Sequence, residues 1–573
     1  VNLRVPRTLE RPLAIAWKDL LVLGKSAGAF RGAMGAAFFL APLVAIAAVS
    51  VYAPGPWRFA GRAIALGTSA VFSSLAFLVA VPAATSLALE RDRDTLQGLV
   101  VSPARPRDLI LGKLLAALGS ALATKAVALP ALAFAYVLGG IEAGFIPRYL
   151  AVLACADLSF ASFALFASAR PLKIARFGAG AMARLGVSQA QLAVQRSVGI
   201  VVLLSLVPIY SALFAVPLAL QHGLELARVL DDFASLGALH PLFALLAWGD
   251  ARIFGAHVPV WLLACAFHVL LAFPFLAGAA EAQRPALAPR GRAARGAFLL
   301  LFAFVVLVAT GASWDAPASV RSLVGTTIAA ALLIVGATAF AQAPAPRRPF
   351  GRREVLLAFL DPRRALESSA ETGPGYAFLL ALTAAPFFAL VAPPGAAARS
   401  ALGVAMAAIG IAAVGARLAA RAQAKEALAL RKAAALGETG EPGAQERAER
   451  EEAANEAPRG TAAVVGLAAM FVVLSPLVAL AGMEAAKRAP VLAPLVPVLQ
   501  GVGVLGVVAN PFTALEPLTS GFGAAVLQAS LSLAGVAPAL LATLHLSFWS
   551  AVTVIALGTL RRAPPAELPA AGA

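Results

Sequence analysis

Long apolar runs, separated by short polar and basic loops, set the pattern of this chain. A bilayer core needs roughly 20 apolar residues per helix. Twelve such runs stand out: 33–52, 64–89, 109–139, 147–168, 198–221, 257–280, 296–313, 320–342, 376–393, 399–416, 461–482 and 535–560. The run 109–139 is longer than one perpendicular span requires, so its first turns are expected to project into water. The stretch 489–509 is also apolar, but Pro490, Pro494, Pro497 and its glycines interrupt it. It reads as a broken or re-entrant segment on the outer side, which is tolerable only against protein or in a wet cavity. The predicted fold is all-α: a polytopic integral membrane protein of about 12 transmembrane helices.

Composition supports lipid as the solvent. Of 573 residues 60% are apolar and 13% charged, against a usual charged share of ~25%, and mean hydropathy is +0.85. There is too little charge to cover a water-facing surface, which excludes a soluble enzyme, a disordered chain and a secreted disulfide scaffold. The two cysteines, Cys155 and Cys265, lie inside apolar runs, so neither a disulfide framework nor a Cys-rich metal site is implied. The N-terminal stretch is long, basic and amphipathic, so no cleavable signal peptide is expected.

The net charge is +17, and its placement is informative. With the N-terminus inside, 36 of the 46 basic residues fall on inner segments, nine on outer ones, and Lys125 within a span. Loop Lys/Arg bias sets orientation. The charge excess is therefore a topology signal, and no nucleic-acid partner is implied. The expected location is the plasma (inner) membrane, with both termini cytoplasmic.

The runs divide into two matching sets of six. Runs 1–2 and 7–8 are tight outer hairpins, each followed by a basic inner loop, 90–113 or 343–375. Runs 3–4 and 9–10 are again tight pairs, followed by inner loops 169–197 and 417–459. A long outer segment, 222–256 or 483–534, precedes the last run of each set. Within these segments His240-Pro241-Leu242-Phe243-Ala244-Leu245 resembles Asn510-Pro511-Phe512-Thr513-Ala514-Leu515. The chain is thus expected to hold two related six-span halves, 1–285 and 286–573. Each starts and ends inside, so the repeat is parallel, about an axis along the membrane normal.

Residues 9–25 are amphipathic. Leu13, Trp17, Leu20 and Leu21 share one helical face, and Arg11, Lys18 and Lys25 another. Such a helix is expected to lie flat on the inner leaflet, either as a generic anchor or as a working part.

The inner loop after the second run is the most informative segment. It holds Glu90-Arg91-Asp92-Arg93-Asp94-Thr95-Leu96-Gln97-Gly98-Leu99, a turn at Ser102-Pro103 and Arg105-Pro106, and then Asp108-Leu109-Ile110-Leu111-Gly112-Lys113. This predicts a short helix, a Pro-bounded turn, and a second helix capped by Asp108 that runs into the third span. The product is a bracket suited to passing force from a soluble partner into the membrane.

This segment resembles the inner loop of type-2 ABC exporter permeases, through Glu90, Thr95, Leu96, Leu99, Pro103, Gly112 and Lys113. Asp94 stands where that family usually has Gly, and Gln97 where Glu is common. The resemblance implies that the loop is a coupling helix docking on a separate ABC-type ATPase subunit, which carries the ATP and Mg. The amphipathic leading helix, six spans per half and the outer segment before the sixth span also fit that family. The second half departs from it: its loop carries Arg352-Arg353-Glu354 and Leu360-Asp361-Pro362-Arg363-Arg364, without Thr-Leu or Gly-Lys.

No ATPase domain is expected in this chain. Gly24-Lys25-Ser26 mimics the end of a phosphate loop, but the required preceding Gly is Asp19 and the context is an amphipathic helix. The five histidines show no metal-ligand spacing, so neither a metal site nor a resident cofactor is expected. His268 and His545 fall in the last span of each half, and Lys125 and Asp157 in spans 3 and 4. Charge within a bilayer is costly and is often functional. As hairpin neighbours, Lys125 and Asp157 are expected either to pair structurally or to serve transport. The loop 417–459 reads as a helical extension to about Leu436, then a break from Gly437 to Gly443, then an acidic stretch. It is either a solvated face or a second ATPase contact. A 12-span secondary transporter driven by an ion gradient is the alternative function.

Overall fold

The computed structural model describes residues 7–24, 79–92, 105–139, 141–169, 241–246, 250–283, 291–312, 352–367, 371–391, 401–417 and 538–558, with isolated positions within 61–73, 314–337 and 369–420. Among these the chain is mostly helical. Five helices are long and apolar enough to cross a membrane: Pro106–Val137, Phe145–Ala169, Val260–Ala282, Ala293–Ala312 and Gly373–Leu390. They mark the chain as a helical membrane protein. The chain divides into two compact units, one of Val1–Leu172 with Met182–Ala288, the other of Lys173–Ala181 with Pro289–Ala573.

In the first unit the elements are α1 (Arg7–Gly24), α2 (Ala80–Asp92), α3 (Pro106–Ala126), α4 (Leu129–Val137), α5 (Phe145–Ala169), α6 (Pro241–Leu246), β1 (Asp250–Ile253), β2 (Ala256–Pro259) and α7 (Val260–Ala282). Helix α5 is the centre, with α2, α3 and α7 packed on it. Between apolar helices in lipid, close packing rather than hydrophobicity drives association, so small residues gather at contacts. Ala156, Ala161 and Ala164 of α5 are fully buried, and Phe166 lies so close to Gly278 of α7 that a Cβ there would stand 2.5 Å from its ring. Ser168 Oγ donates to Ala84 O at 2.6 Å, fastening α2 to the far end of α5.

The expectation of an all-α chain needs one amendment. β1 and β2 form an antiparallel hairpin, pairing Ala251 with Val258 and Arg252 with His257. Its two-residue turn is Phe254-Gly255, at φ 50° and 80°. Two positive φ values suit the twist of a tight hairpin, and Gly takes them without cost. The helix expected from 257 therefore starts at Val260, because Pro259 occupies its cap position and 256–259 belong to the strand. The third span begins earlier than its apolar run: α3 starts at Pro106, where a ring with no N–H costs nothing. The expected cap is displaced: Arg105 is the N-cap of α3, and Asp108 sits inside the first turn, where its Oδ2 accepts the Arg105 N–H at 3.2 Å.

In the second unit α8 (Ala293–Ala312), α9 (Arg352–Leu360), α10 (Pro362–Ala365), α11 (Gly373–Val391), α12 (Ala401–Arg417) and α13 (Pro538–Gly558) are described. α11 packs against α8, α9 and α10. Gly375 of α11 rides directly over the Ala358 carbonyl of α9, leaving no room for a side chain. Trp549 of α13 packs on Ala407 and Ile411 of α12 and lies over Gly410, where a Cβ would stand 2.8 Å from the indole. Residues 510–515, the loop beyond residue 420 and the segment 489–509 lie outside the described residues, as do nine of the twelve sequence-predicted runs in part or whole.

Candidate functional site

Two residues of the expected coupling loop, Glu90 and Lys113, meet in the structure. Glu90 is near the end of α2 and Lys113 is two turns into α3. Lys113 is almost fully buried, and its Nζ donates to Glu90 Oε1 at 3.5 Å and to Asp19 Oδ2 at 3.1 Å. Asp19 belongs to α1, and Lys18 beside it reaches the same Glu90 oxygen at 3.5 Å. One buried ammonium thus ties together the leading helix and both arms of the loop. Thr95, Leu96, Leu99 and Pro103, the rest of the expected docking set, lie outside the described residues.

Gly112 explains why the contact is so close. A Cβ there would stand 2.6 Å from Ile15 Cβ and 2.9 Å from the Pro12 carbonyl. Only Gly admits α1 at this distance. Farther along α3, Gly119 faces Leu20. Helix α1 therefore has three faces rather than two. Pro12 and Ala16 are buried with Ile15, Asp19 and Leu20 on the side of α3, whereas Leu13, Trp17 and Leu21 are exposed. The cationic strip of Arg11 and Lys18 forms the third side. Leu20, grouped by sequence with the exposed leucines, belongs to the packed face.

Lys125 and Asp157 form an ion pair between α3 and α5, both nearly inaccessible to solvent. An isolated charge at this depth is expensive, so each makes the other tolerable. Asp157 Oδ2 and the hydroxyl of buried Tyr149, two turns earlier on α5, have no hydrogen-bond partner among the described residues. The same holds for the buried hydroxyls of Thr68, Ser69 and Ser73. Among the described residues of the first unit, these buried polar atoms are thus left without a protein partner.

The two histidines expected within spans are both buried. His268 Nδ1 lies 2.8 Å from Ser159 Oγ, between the rings of Phe160 and Phe267. His545 Nε2 lies 3.4 Å from Gly403 O. Among the described residues no three His, Cys, Asp or Glu side chains are placed to hold a metal ion.

The loop 343–375 of the second half is held by a different device. Asp361 caps α10, accepting the Arg363 N–H at 2.9 Å. Fully buried Arg295, in the first turn of α8, then gathers the chain that follows. It donates to Ala365 O (2.8 Å), Thr372 Oγ1 (2.7 Å), Ser369 O (2.9 Å) and Glu367 O. Its guanidinium lies 4.9 Å from the centre of the Tyr376 ring, and Tyr376 OH donates back to Arg295 O at 3.1 Å. Arg292 adds an ion pair to Glu367 at 2.7 Å. The planar fork of Arg suits several fixed acceptors at once. In the first unit, then, α1 anchors Glu90 and Lys113, and in the second the first turn of α8 anchors residues 365–376.

Asp19 and Arg295 were not singled out by sequence. In the sequence Asp19 only breaks the phosphate-loop pattern, and Arg295 is one of the basic residues on the inner segments. No family model, no curated protein and no solved structure matches the chain. The described helices define the class, a helical membrane protein, and a narrower assignment rests on the sites themselves.

Proposed function

We propose that the chain is the membrane permease subunit of an ABC-type exporter. It moves a substrate across the plasma (inner) membrane, using ATP hydrolysed by a separate ATPase subunit. Two six-span halves make up the twelve spans.

The observation that supports this reading is the Glu90–Lys113–Asp19 network. A loop that receives force from a soluble partner must be stiff and must be joined to what moves. The buried Lys113 ammonium joins both ends of the 90–113 loop to α1, so a displacement of the loop is shared by spans 2 and 3 and by the leading helix. The partner would dock on the segment containing Thr95, Leu96, Leu99 and Pro103. The second-half loop lacks that motif but is braced by Arg295, which favours two unequal ATPase contacts.

The buried Lys125–Asp157 pair favours a second reading, a 12-span carrier driven by an ion gradient. Purification from native membranes in mild detergent separates the two. The exporter reading expects a stoichiometric ABC-type ATPase that co-purifies and whose activity falls with Leu96→Pro while membrane insertion is unchanged. Gradient-driven flux by the isolated chain, with no ATPase present, would overturn it.

A further inference from the structure

The only two cysteines of the chain come from runs far apart in sequence, yet the helix register brings them together. Along the α5–α7 contact, Ser159 meets His268, Phe163 meets Phe275, and Phe166 meets Phe275 and Gly278. Partner numbers rise together, so the two helices run the same way. One turn before Ser159 is Cys155, and one turn before His268 is Cys265. This register sets the two thiols beside each other across the α5–α7 contact. Their neighbours Ala156 and Ala264 are fully buried, and side chains this small let two backbones approach closely. Both cysteines are reduced and half-buried.

We propose that Cys155 and Cys265 form a redox-closed latch, in which a hydroperoxide converts the pair to an intramolecular disulfide that pins α5 to α7. One thiol attacks the peroxide oxygen, giving a sulfenic acid and releasing an alcohol, or water when hydrogen peroxide is the oxidant. The second sulfur then displaces the sulfenic oxygen as water, leaving the S–S bond. Two thiols lose two electrons and two hydrogens, and the peroxide O–O bond accepts them. Closure asks mainly for side-chain rotation, because the helix register already sets the two cysteines on facing sides of one contact. In the sidedness proposed above, both helices start at the outer face and the pair lies nearer that end, where disulfides persist. The covalent chemistry itself is independent of the exporter reading. The bond removes sliding and rotation between α5 and α7, whatever motion those helices serve.

The test uses the full chain in native membranes, treated with hydrogen peroxide and then denatured for labelling with a large maleimide reagent. The latch predicts two labels per chain before treatment, none after it, and two again after dithiothreitol. It also predicts a Cys155–Cys265 linked peptide two hydrogens lighter in the digest. Retention of both labels, links only between chains, or over-oxidised thiols with no linked peptide would each overturn it. A second measurement addresses pinning. The oxidised chain in detergent should melt higher than the reduced chain, by an amount on the order of several degrees, and Cys155→Ser should show no such rise. A disulfide that leaves Tm unchanged leaves the helices unpinned and removes the latch.

Discussion

Lys113 and Asp19, 94 residues apart in sequence, meet at 3.1 Å with the ammonium almost wholly withdrawn from solvent. Glu90 is the second acceptor, at 3.5 Å. Because Lys113 is buried and both carboxylates are only partly so, the cost of breaking this cluster falls on the lysine. Removing one carboxylate leaves the other in place. Removing both leaves an uncompensated buried charge, at about 3–5 kcal/mol. Asp19→Asn and Glu90→Gln should each be mild, and their combination should lower Tm by more than the sum of the two. Thermal denaturation of the four chains in one detergent, read as a double-mutant cycle, checks this.

Gly112→Ala should be more damaging than its single methyl group suggests. The added Cβ meets Ile15 Cβ at 2.6 Å and backbone at Pro12 O, at 2.9 Å. Overpacking of this kind costs about 1–3 kcal/mol. Ile15→Ala should fail to rescue it, because alanine keeps the very Cβ that clashes. Protease sensitivity of α1, compared with Tm, would show whether the helix has been pushed off α3. Full rescue by Ile15→Ala would mean that α1 can shift at no cost.

The Lys125–Asp157 pair separates structure from transport in one experiment. Lys125→Met or Asp157→Asn alone should lower folded yield strongly, on the order of 3–5 kcal/mol, since each leaves its partner charged in an apolar setting. Lys125→Met with Asp157→Leu removes both charges and should restore much of the yield. Gel-filtration recovery after mild heating is the readout. A double variant no better than the singles would show that the pair is needed for more than mutual neutralisation.

Arg295→Lys is not conservative here. A lysine ammonium cannot span Ala365 O, Ser369 O and Thr372 Oγ1 in one plane while lying beside Tyr376. Leaving some of these buried acceptors unmet costs about 1–3 kcal/mol. Limited proteolysis should cut within 361–372 of the Arg295→Lys chain and spare the parent. Equal cutting rates would contradict the bracing role.

Much of the scaffold was legible because lipid simplifies the code. Runs such as 147–168 and 296–313 correspond to α5 and α8 within a few residues, since a span must be long, apolar and internally hydrogen-bonded. The Lys125–Asp157 pair was legible as one of two options for the same reason: a charge in hydrocarbon needs a partner, and the hairpin left only one close by. What escaped depends on finer geometry. The hairpin turn at Phe254 hid because a large residue at positive φ is a poor turn signal. The third face of α1 hid because hydropathy separates apolar from charged positions but does not separate protein-facing from lipid-facing ones. Asp19 then looked like one more polar residue on a surface helix. Arg295 looked like a topology charge, and only its acceptors, scattered over 365–372, reveal it as a brace.

The three committed faces of α1 make its length harder to change than its sequence. Successive helical residues are set about 100° apart. Deleting one residue between Pro12 and Asp19 would turn everything beyond it by that angle. Trp17 would leave the exposed side, Asp19 would leave Lys113, and Leu20 would leave Gly119, all in one event. Each face accepts substitutions of its own kind, since those leave the other two untouched. The helix is therefore a fixed-length spacer, in which the count of residues from Pro12 to Leu20 carries as much structural information as their identities.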